Sequence, residues 1–309
     1  RRINLDLSRI NKGLKKLNNP HFNLKNPINI LGSDGKMSVL TSLKFFLESG
    51  ENKINSFTSP HLYDVRHRFW LKNKFISLIK FKKFIKIVEK TNLKLTLFEL
   101  LTCVYILASV KEKNISYNLI ESGLLFKKDS TNLWPSPRAQ IVTNINFQHQ
   151  DWVSPKTLYE ICKQKVGSLS KNTVIYVAKQ NKKTLKIIQK LLKNNKSKVI
   201  YSNSWNIKKI NNKFTYIDKK NTIKIKSKYI HSNGLMDNLG LAIKVALDFG
   251  VKKSKITSTI PKIKFEGRLQ YLERGKLNKL INKNEKLLVD GCHSITSGQN
   301  LKDYLKTID

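Results

Sequence analysis

Acidic residues are scarce: 21 Asp and Glu stand against 59 Lys and Arg in 309 residues, a formal net charge of +38. That balance excludes an acidic, self-repelling disordered tail. Cysteine is nearly missing. Cys103, Cys162 and Cys292 lie far apart with no C-x-x-C spacing, which speaks against a disulfide framework or a structural zinc site and suits a reducing cytoplasm. Long apolar runs are missing too. The longest, Leu95 to Val110, has 16 residues with Glu99 inside it, short of the roughly 20 that span a bilayer. It reads as a buried helix, and no membrane partner is expected. The basic start, Arg1 to Lys16, has no apolar run behind it, so no secretory signal is expected.

Arginine is rare as well, at eight of the 59 cations, and the other 51 are lysines spread over the whole chain. A nucleic-acid surface usually gathers its charge and favours Arg for bidentate contacts. Dispersed lysine instead fits a solvated coat, and nucleic acid is not an expected partner. Anionic small substrates also suit the charge. With 40% hydrophobic and 9% aromatic residues the chain can build a large core, as two domains or one large one.

Short apolar runs alternate with segments of helical period, the pattern of an α/β domain with a largely parallel sheet. Strands are expected at Ile28–Leu31, Asn55–Thr58, Tyr117–Glu121, Gln140–Ile145, Thr173–Ala178, Lys198–Tyr201 and Lys286–Asp290. Helices are expected at Lys36–Glu48, Ser77–Thr91, Thr96–Lys111, Pro155–Val166, Lys183–Asn194, Leu235–Phe249 and Gly298–Lys306. Phe69–Leu71 with Phe75–Ile76, and Phe214–Ile217 with Thr222–Ile225, read as inserted hairpins. Pro261–Gly267 reads as a connector. Neither an internal repeat nor a low-complexity tract beyond the lysine bias is found.

The sharpest local signal is Gly32-Ser33-Asp34-Gly35-Lys36-Met37-Ser38, which follows a strand and opens a helix. Glycines there let backbone N–H groups approach phosphate oxygens, the helix N-terminus adds partial positive charge, Lys36 can reach the terminal phosphates, and Ser38 can hold magnesium. The run departs from G-x-x-x-x-G-K-[ST] at Ile30 and Met37. A plain glycine turn opening a helix remains the competing account.

In the order of its motifs the chain resembles the folylpolyglutamate synthase and dihydrofolate synthase family of the Mur-ligase superfamily. The family's G-T-N-G-K-G-S is followed by Gly32 to Ser38, with Ser33, Asp34 and Met37 as substitutions, and its T-S-P-H-L is repeated by Thr58-Ser59-Pro60-His61-Leu62, with Arg68 at its E-R-I arginine. Glu121-Ser122-Gly123 and Asp129-Ser130-Thr131-Asn132 resemble its E-x-G-L-G-G-R-x-D-A-T-N, although Leu125, Phe126 and Lys127 replace two glycines and the arginine. A carboxylate at the end of a parallel strand stands where α/β ligands bind. Val142 to Ile145, Asn146 to Trp152 and Ile161 to Gly167 keep step with V-I-T-N-I-x-x-D-H and I-x-x-E-K-A-G-I, with Gln148 and Gln164 in place of acids. Asn238 to Ala242, Gly267 to Gln270 and Leu288 to His293 resemble N-A-x-L-A, P-G-R-F-Q and L-D-G-A-H-N-P.

The resemblance implies a P-loop-type Mur-ligase central ATPase domain, with a mostly parallel sheet flanked by helices, at residues 1–260. A linker and the start of a Rossmann-like α/β glutamate-ligase domain would follow at 261–309, since the family continues through a complete C-terminal domain. ATP would be held by Gly32, Ser33, Asp34, Gly35, Lys36, Met37, Ser38, Asn238, Arg268, Asp290 and His293. Two magnesium ions would be served by Ser38, Glu121, His149 and Lys165, the last being the lysine that the superfamily carbamylates. Lys36, His149, Lys165 and Arg268 would be catalytic, and Ser59, Pro60, His61 and Arg68 would bind the folate. The implied substrates are dihydropteroate or a reduced folate together with L-glutamate, joined at the expense of ATP by a cytoplasmic monomer. Alternatives are a muramyl-peptide ligase, against which Thr58 to Leu62 argues, and a non-catalytic nucleotide-binding or basic nucleic-acid-binding descendant.

Overall fold

In a computed structural model that describes residues 5–210 and 213–308, an eight-stranded sheet runs in the order β4-β3-β2-β5-β1-β6-β7-β8. Its strands are β1 (Pro27–Leu31), β2 (Ile54–Phe57), β3 (Phe69–Leu71), β4 (Lys74–Phe75), β5 (Tyr117–Glu121), β6 (Ala139–Val142), β7 (Val174–Val177) and β8 (Lys198–Tyr201). Every pair is parallel except β2 with β3 and β3 with β4, so one short hairpin extends an otherwise parallel sheet. β1 is central and buried along its whole length, which is why Pro27-Ile-Asn-Ile-Leu31 carries no charge.

The two faces follow from the period of two along each strand. Ile28 and Ile30 point with Leu119, Ala139 and Ile141 to one side. There α2 (Lys36–Ser49), α7 (Asn233–Asp248) and α8 (Lys253–Thr259) pack. A small antiparallel sheet of β9 (Trp205–Ile210), β10 (Lys213–Asp218) and β11 (Thr222–Ile225) joins them. On the other side α1 (Leu7–Lys16), α3 (Leu78–Glu89) and α4 (Leu97–Val110) cover β2, β3 and β5, while α5 (Leu158–Val166) and α6 (Lys182–Leu192) cover β6 and β7. The last elements are the antiparallel pair β12 (Gln270–Leu272) and β13 (Leu287–Val289) with α9 (Ile295–Leu305).

The apolar run is indeed a buried helix, α4, and its acid has a local cause. Thr96 and Glu99 form a capping box, and Glu99, 3% exposed, also pairs with the Arg9 guanidinium of α1 at 2.8 Å. The acid therefore closes the helix end and anchors a second helix. Expected and observed boundaries differ where a cap intervenes: α5 starts at Leu158 behind Thr157, and α9 at Ile295 behind Ser294. β6 stops at Val142, short of the expected Ile145, because the Asn144 carbonyl leaves the ladder to accept the amides of Ser33 and Asp34 at 2.8 and 3.2 Å. α1, α8, β9 and β12 were not expected from the sequence pattern. Among the described residues no helix is long and apolar enough to cross a membrane.

Candidate active site

The parallel strands release their loops on one side of the sheet, and there a cavity of about 730 Å³ opens. The phosphate-loop candidate follows β1, Ser59 and Pro60 follow β2, Glu121 to Leu124 end β5, and Asn144 to His149 follow β6. The N-terminal turns of α2, α4, α7 and α9 also line it. The positive ends of four helices thus face the cavity, and that of α2, which opens at Gly35 without a side-chain cap, leaves its first N–H groups free for an anion.

In the glycine loop, Gly32 has φ +145° and Gly35 φ +86°. A Cβ on Gly32 would stand 2.1 Å from Thr143 Oγ1, and one on Gly35 2.5 Å from Asn238 Oδ1. Only glycine fits either place. Lys36 folds back over the loop, its Nζ donating to the carbonyls of Ser33 (3.0 Å) and Gly32 (3.3 Å). Ser38, 4% exposed, lies in the first turn of α2.

Glu121 is buried at the end of β5, where its Oε2 accepts the Ser59 amide at 3.1 Å. Burial lifts its carboxyl to about 7, against the pull of Lys36, that amide, Arg268 and Arg68. Arg68 in turn donates from Nε to His61 Nδ1 at 3.0 Å. Ser59, Pro60 and Arg68 line the cavity, whereas His61 lies behind Arg68 and orients it. His149 lines the cavity with φ +63°, and its Nδ1 is buried with no hydrogen-bond partner among the described residues. Burial and the cations Lys165 and Lys36 hold this imidazole down to about 4, so it is neutral at pH 7 and has a lone pair to offer.

Lys165 is 1% exposed and sits beneath the loop rather than in the cavity, with Nζ donating to Gly32 O (2.8 Å) and Leu124 O (2.9 Å). Burial and neighbouring Lys36 bring its amine down to about 7, against Asp129, Asp34 and Cys162. Asp129 is buried too, its carboxylate accepting the amides of Gly123 and Thr131 and so fixing the loop after β5.

Arg268, Asp290 and His293 close the cavity from the last elements. Arg268 lies against Gly291, where a Cβ would meet its Nη1 at 2.5 Å. Asp290 accepts the Leu269 amide at 2.7 Å, and His293 Nδ1 is 2.9 Å from the Gly291 carbonyl oxygen. Asn238 faces the cavity from α7, packed on Gly35.

Sequence reasoning missed the apolar end of the cavity, built by Leu5, Leu97, Phe98 and Leu124 with Lys128 and Ser130 beside them. The Thr96/Glu99 capping box was the available signal, since it marks a helix N-terminus. Among the described residues no three His, Cys, Asp or Glu side chains cluster closely enough to form a metal site of their own. The donors that are present, a hydroxyl, one buried carboxylate and a neutral imidazole with an orphaned nitrogen, fit a magnesium ion that takes its other oxygens from phosphates and water.

The fold, α/β with a mostly parallel central sheet flanked by helices, matches the Mur-ligase fold of the solved folylpolyglutamate synthases. No protein-family model matches the chain. It is 28% identical over 331 residues to the dihydrofolate synthetase of Saccharomyces cerevisiae, an alignment covering 98% of this chain and 73% of the relative. Mycobacterium tuberculosis folylpolyglutamate synthase complexed with ADP superposes with a TM-score of 0.84 at 18% identity, over 99% of this chain and 70% of that one. A bifunctional folylpolyglutamate synthase/dihydrofolate synthase with Mn, AMPPNP and L-glutamate bound gives 0.82 at 16% identity, over 99% and 72%. Sequence and structure agree in a consistent homology, at modest identity, to the folylpolyglutamate/dihydrofolate synthase family of the Mur-ligase superfamily.

Proposed function

We propose that the protein is an ATP-dependent ligase that joins a carboxylate of dihydropteroate or a reduced folate to the amine of L-glutamate. The homology supports a ligase of this type at the level of the family. The observation that carries the reading for this chain is the convergence of Lys36, Arg68 and Arg268 on buried Glu121, beside a helix N-terminus opened by two obligate glycines.

A carboxylate is a poor electrophile. Attack of its oxygen on the γ-phosphorus of ATP releases ADP and leaves an acyl phosphate. Attack of the glutamate nitrogen on the acyl carbon then forms the amide, loses a proton and expels inorganic phosphate. Charge that spreads over the transferring phosphoryl oxygens is met by Lys36, Arg268 and the amides opening α2. Magnesium held by Ser38, Glu121 and His149 would supply further neutralisation of the phosphates. An amine near 7, as Lys165 has, is substantially uncharged at neutral pH, the form that adds carbon dioxide, so carbamylation at Lys165 belongs to the same proposal. In this assignment Asn238, Asp290 and His293 serve the adenosine end. Ser59, Pro60 and Arg68, with His61 behind, serve the folate, whose flat ring suits the apolar walls at Leu97, Phe98 and Leu124. Residues 1–260 form the ATP-binding unit, and 261–309 a linker and the beginning of the glutamate-ligase unit.

The test is phosphate release from ATP with dihydropteroate plus L-glutamate, and separately with tetrahydrofolate plus L-glutamate. Release that requires all three substrates supports the ligase; absence of release with both acceptors sinks it.

A further inference from the structure

A carboxylate inside a loop built for anions needs a reason. Asp34 stands between Ser33 and Gly35 and lines the cavity, where its charge has the same sign as a polyphosphate. Yet both of its oxygens are engaged by neutral donors from far along the chain. Oδ2 accepts from Asn146 Nδ2 at 2.6 Å and from Ser294 Oγ at 3.2 Å, and Oδ1 from Gln148 Nε2 at 3.4 Å. The backbone makes the same connection, because the Asp34 amide donates to the Asn144 carbonyl. Neighbouring Ser33 adds to it, with Oγ accepting the Asn146 amide at 3.2 Å.

What is gathered in this way matters for the cavity. Asn146 and Gln148 lead directly into His149. Ser294 is the N-cap of α9, its hydroxyl accepting the Ser297 amide while donating to Asp34, and it follows His293. The positive end of α9 thereby faces the Asp34 carboxylate, a favourable pairing. An acid that only faced solvent would show none of these bonds, and an acid that only repelled phosphate would be a defect.

We propose that Asp34 is a positioning residue: its carboxylate fastens the segment carrying His149 and the N-terminus of α9 to the phosphate loop, and so holds two separate walls of the cavity in place. This rests on the nucleotide reading of the loop only for its functional meaning; the fastening itself is a property of the free protein.

The two roles predict opposite signs. Removing a negative charge beside a polyphosphate tightens binding if nothing else changes, whereas releasing two walls weakens it. Amide hydrogen exchange on the free protein, with Asp34→Asn, is expected to quicken about tenfold both at residues 144–149 and in the first turn of α9, roughly the worth of one hydrogen bond to a charged acceptor. Calorimetry with Mg-ADP is expected to show a dissociation constant raised about fivefold or more. Ser294→Thr, which keeps the hydroxyl and the cap, should retain wild-type exchange in α9, and Gln148→Ala should free residues 144–149 while α9 keeps its protection. Unchanged exchange in both segments of Asp34→Asn, tighter Mg-ADP binding, or equal loosening of α9 in Gln148→Ala overturns the proposal. If Asp34→Asn fails to fold, the contrast between the other two variants decides. Should the wild-type protein bind no Mg-ADP, the ligase reading fails while the exchange measurements still judge Asp34.

Discussion

Glu121 carries its proton more tightly in the folded chain than an ordinary carboxyl does, because burial outweighs three neighbouring cations. A raised carboxyl value stabilises the fold fully below its unfolded value of about 4.5, and that contribution is lost as pH rises through about 7. Glu121→Gln removes the slope. In urea unfolding with EDTA present, the variant is expected to gain on the wild type between pH 4.5 and 7.5, by roughly 3 kcal/mol at most; parallel profiles would refute the assignment. Gly35→Ala tests the loop at the same scale. The new methyl must take φ +86° and displace Asn238 from 2.5 Å, a strain of about 1–3 kcal/mol. Mg-ADP affinity is expected to fall at least tenfold while the far-ultraviolet circular dichroism is retained.

Helix ends, rather than helix bodies, decide what an element contributes here. Thr96→Ala leaves the apolar body of α4 intact but removes the hydroxyl that caps it, and is expected to cost about 1 kcal/mol in denaturant unfolding. A larger loss would mean that Glu99 has also released Arg9 of α1. The same distinction explains what could be read from the chain. Strand, glycine loop and helix at residues 27–49 were legible because the signals are local: an uncharged apolar run, two glycines and a helical period. α1 was not, since Ile10, Gly13 and Leu14 are its only buried residues and its stripe means little until α4 lies against it. β9 exposes most of its side chains and exists through its pairing with β10. In the site, linear motifs delivered Lys36, Glu121, His149 and Arg268 to one cavity. The burial of Lys165 beneath the loop, and the bond from Ser294 to Asp34 across 260 positions, depend on long-range packing that no local pattern encodes.

Over the whole molecule the excess of 38 positive charges sets long-range behaviour without choosing a ligand. Where it is concentrated, at Lys36, Arg68 and Arg268, it faces Glu121 and the cavity. Elsewhere its lysines are spread along the whole chain, the arrangement expected of a solvated coat. Duplex DNA is therefore expected to bind weakly and without sequence preference, and the association should vanish between about 50 and 200 mM salt in an electrophoretic shift. Retention of tight binding at the higher salt would restore the nucleic-acid alternative.

The two ends of the large sheet give that coat a further meaning. One end is β4, only Lys74 and Phe75, both exposed, and the other is β8, which begins at exposed Lys198. An open strand is a template on which a second chain can add its own backbone ladder, and short length and lysine both discourage it. Among the described residues the two borders of the wide sheet are thus guarded by a two-residue strand and by lysine, cations that here serve as insulation against a neighbour's backbone rather than as contacts for a ligand.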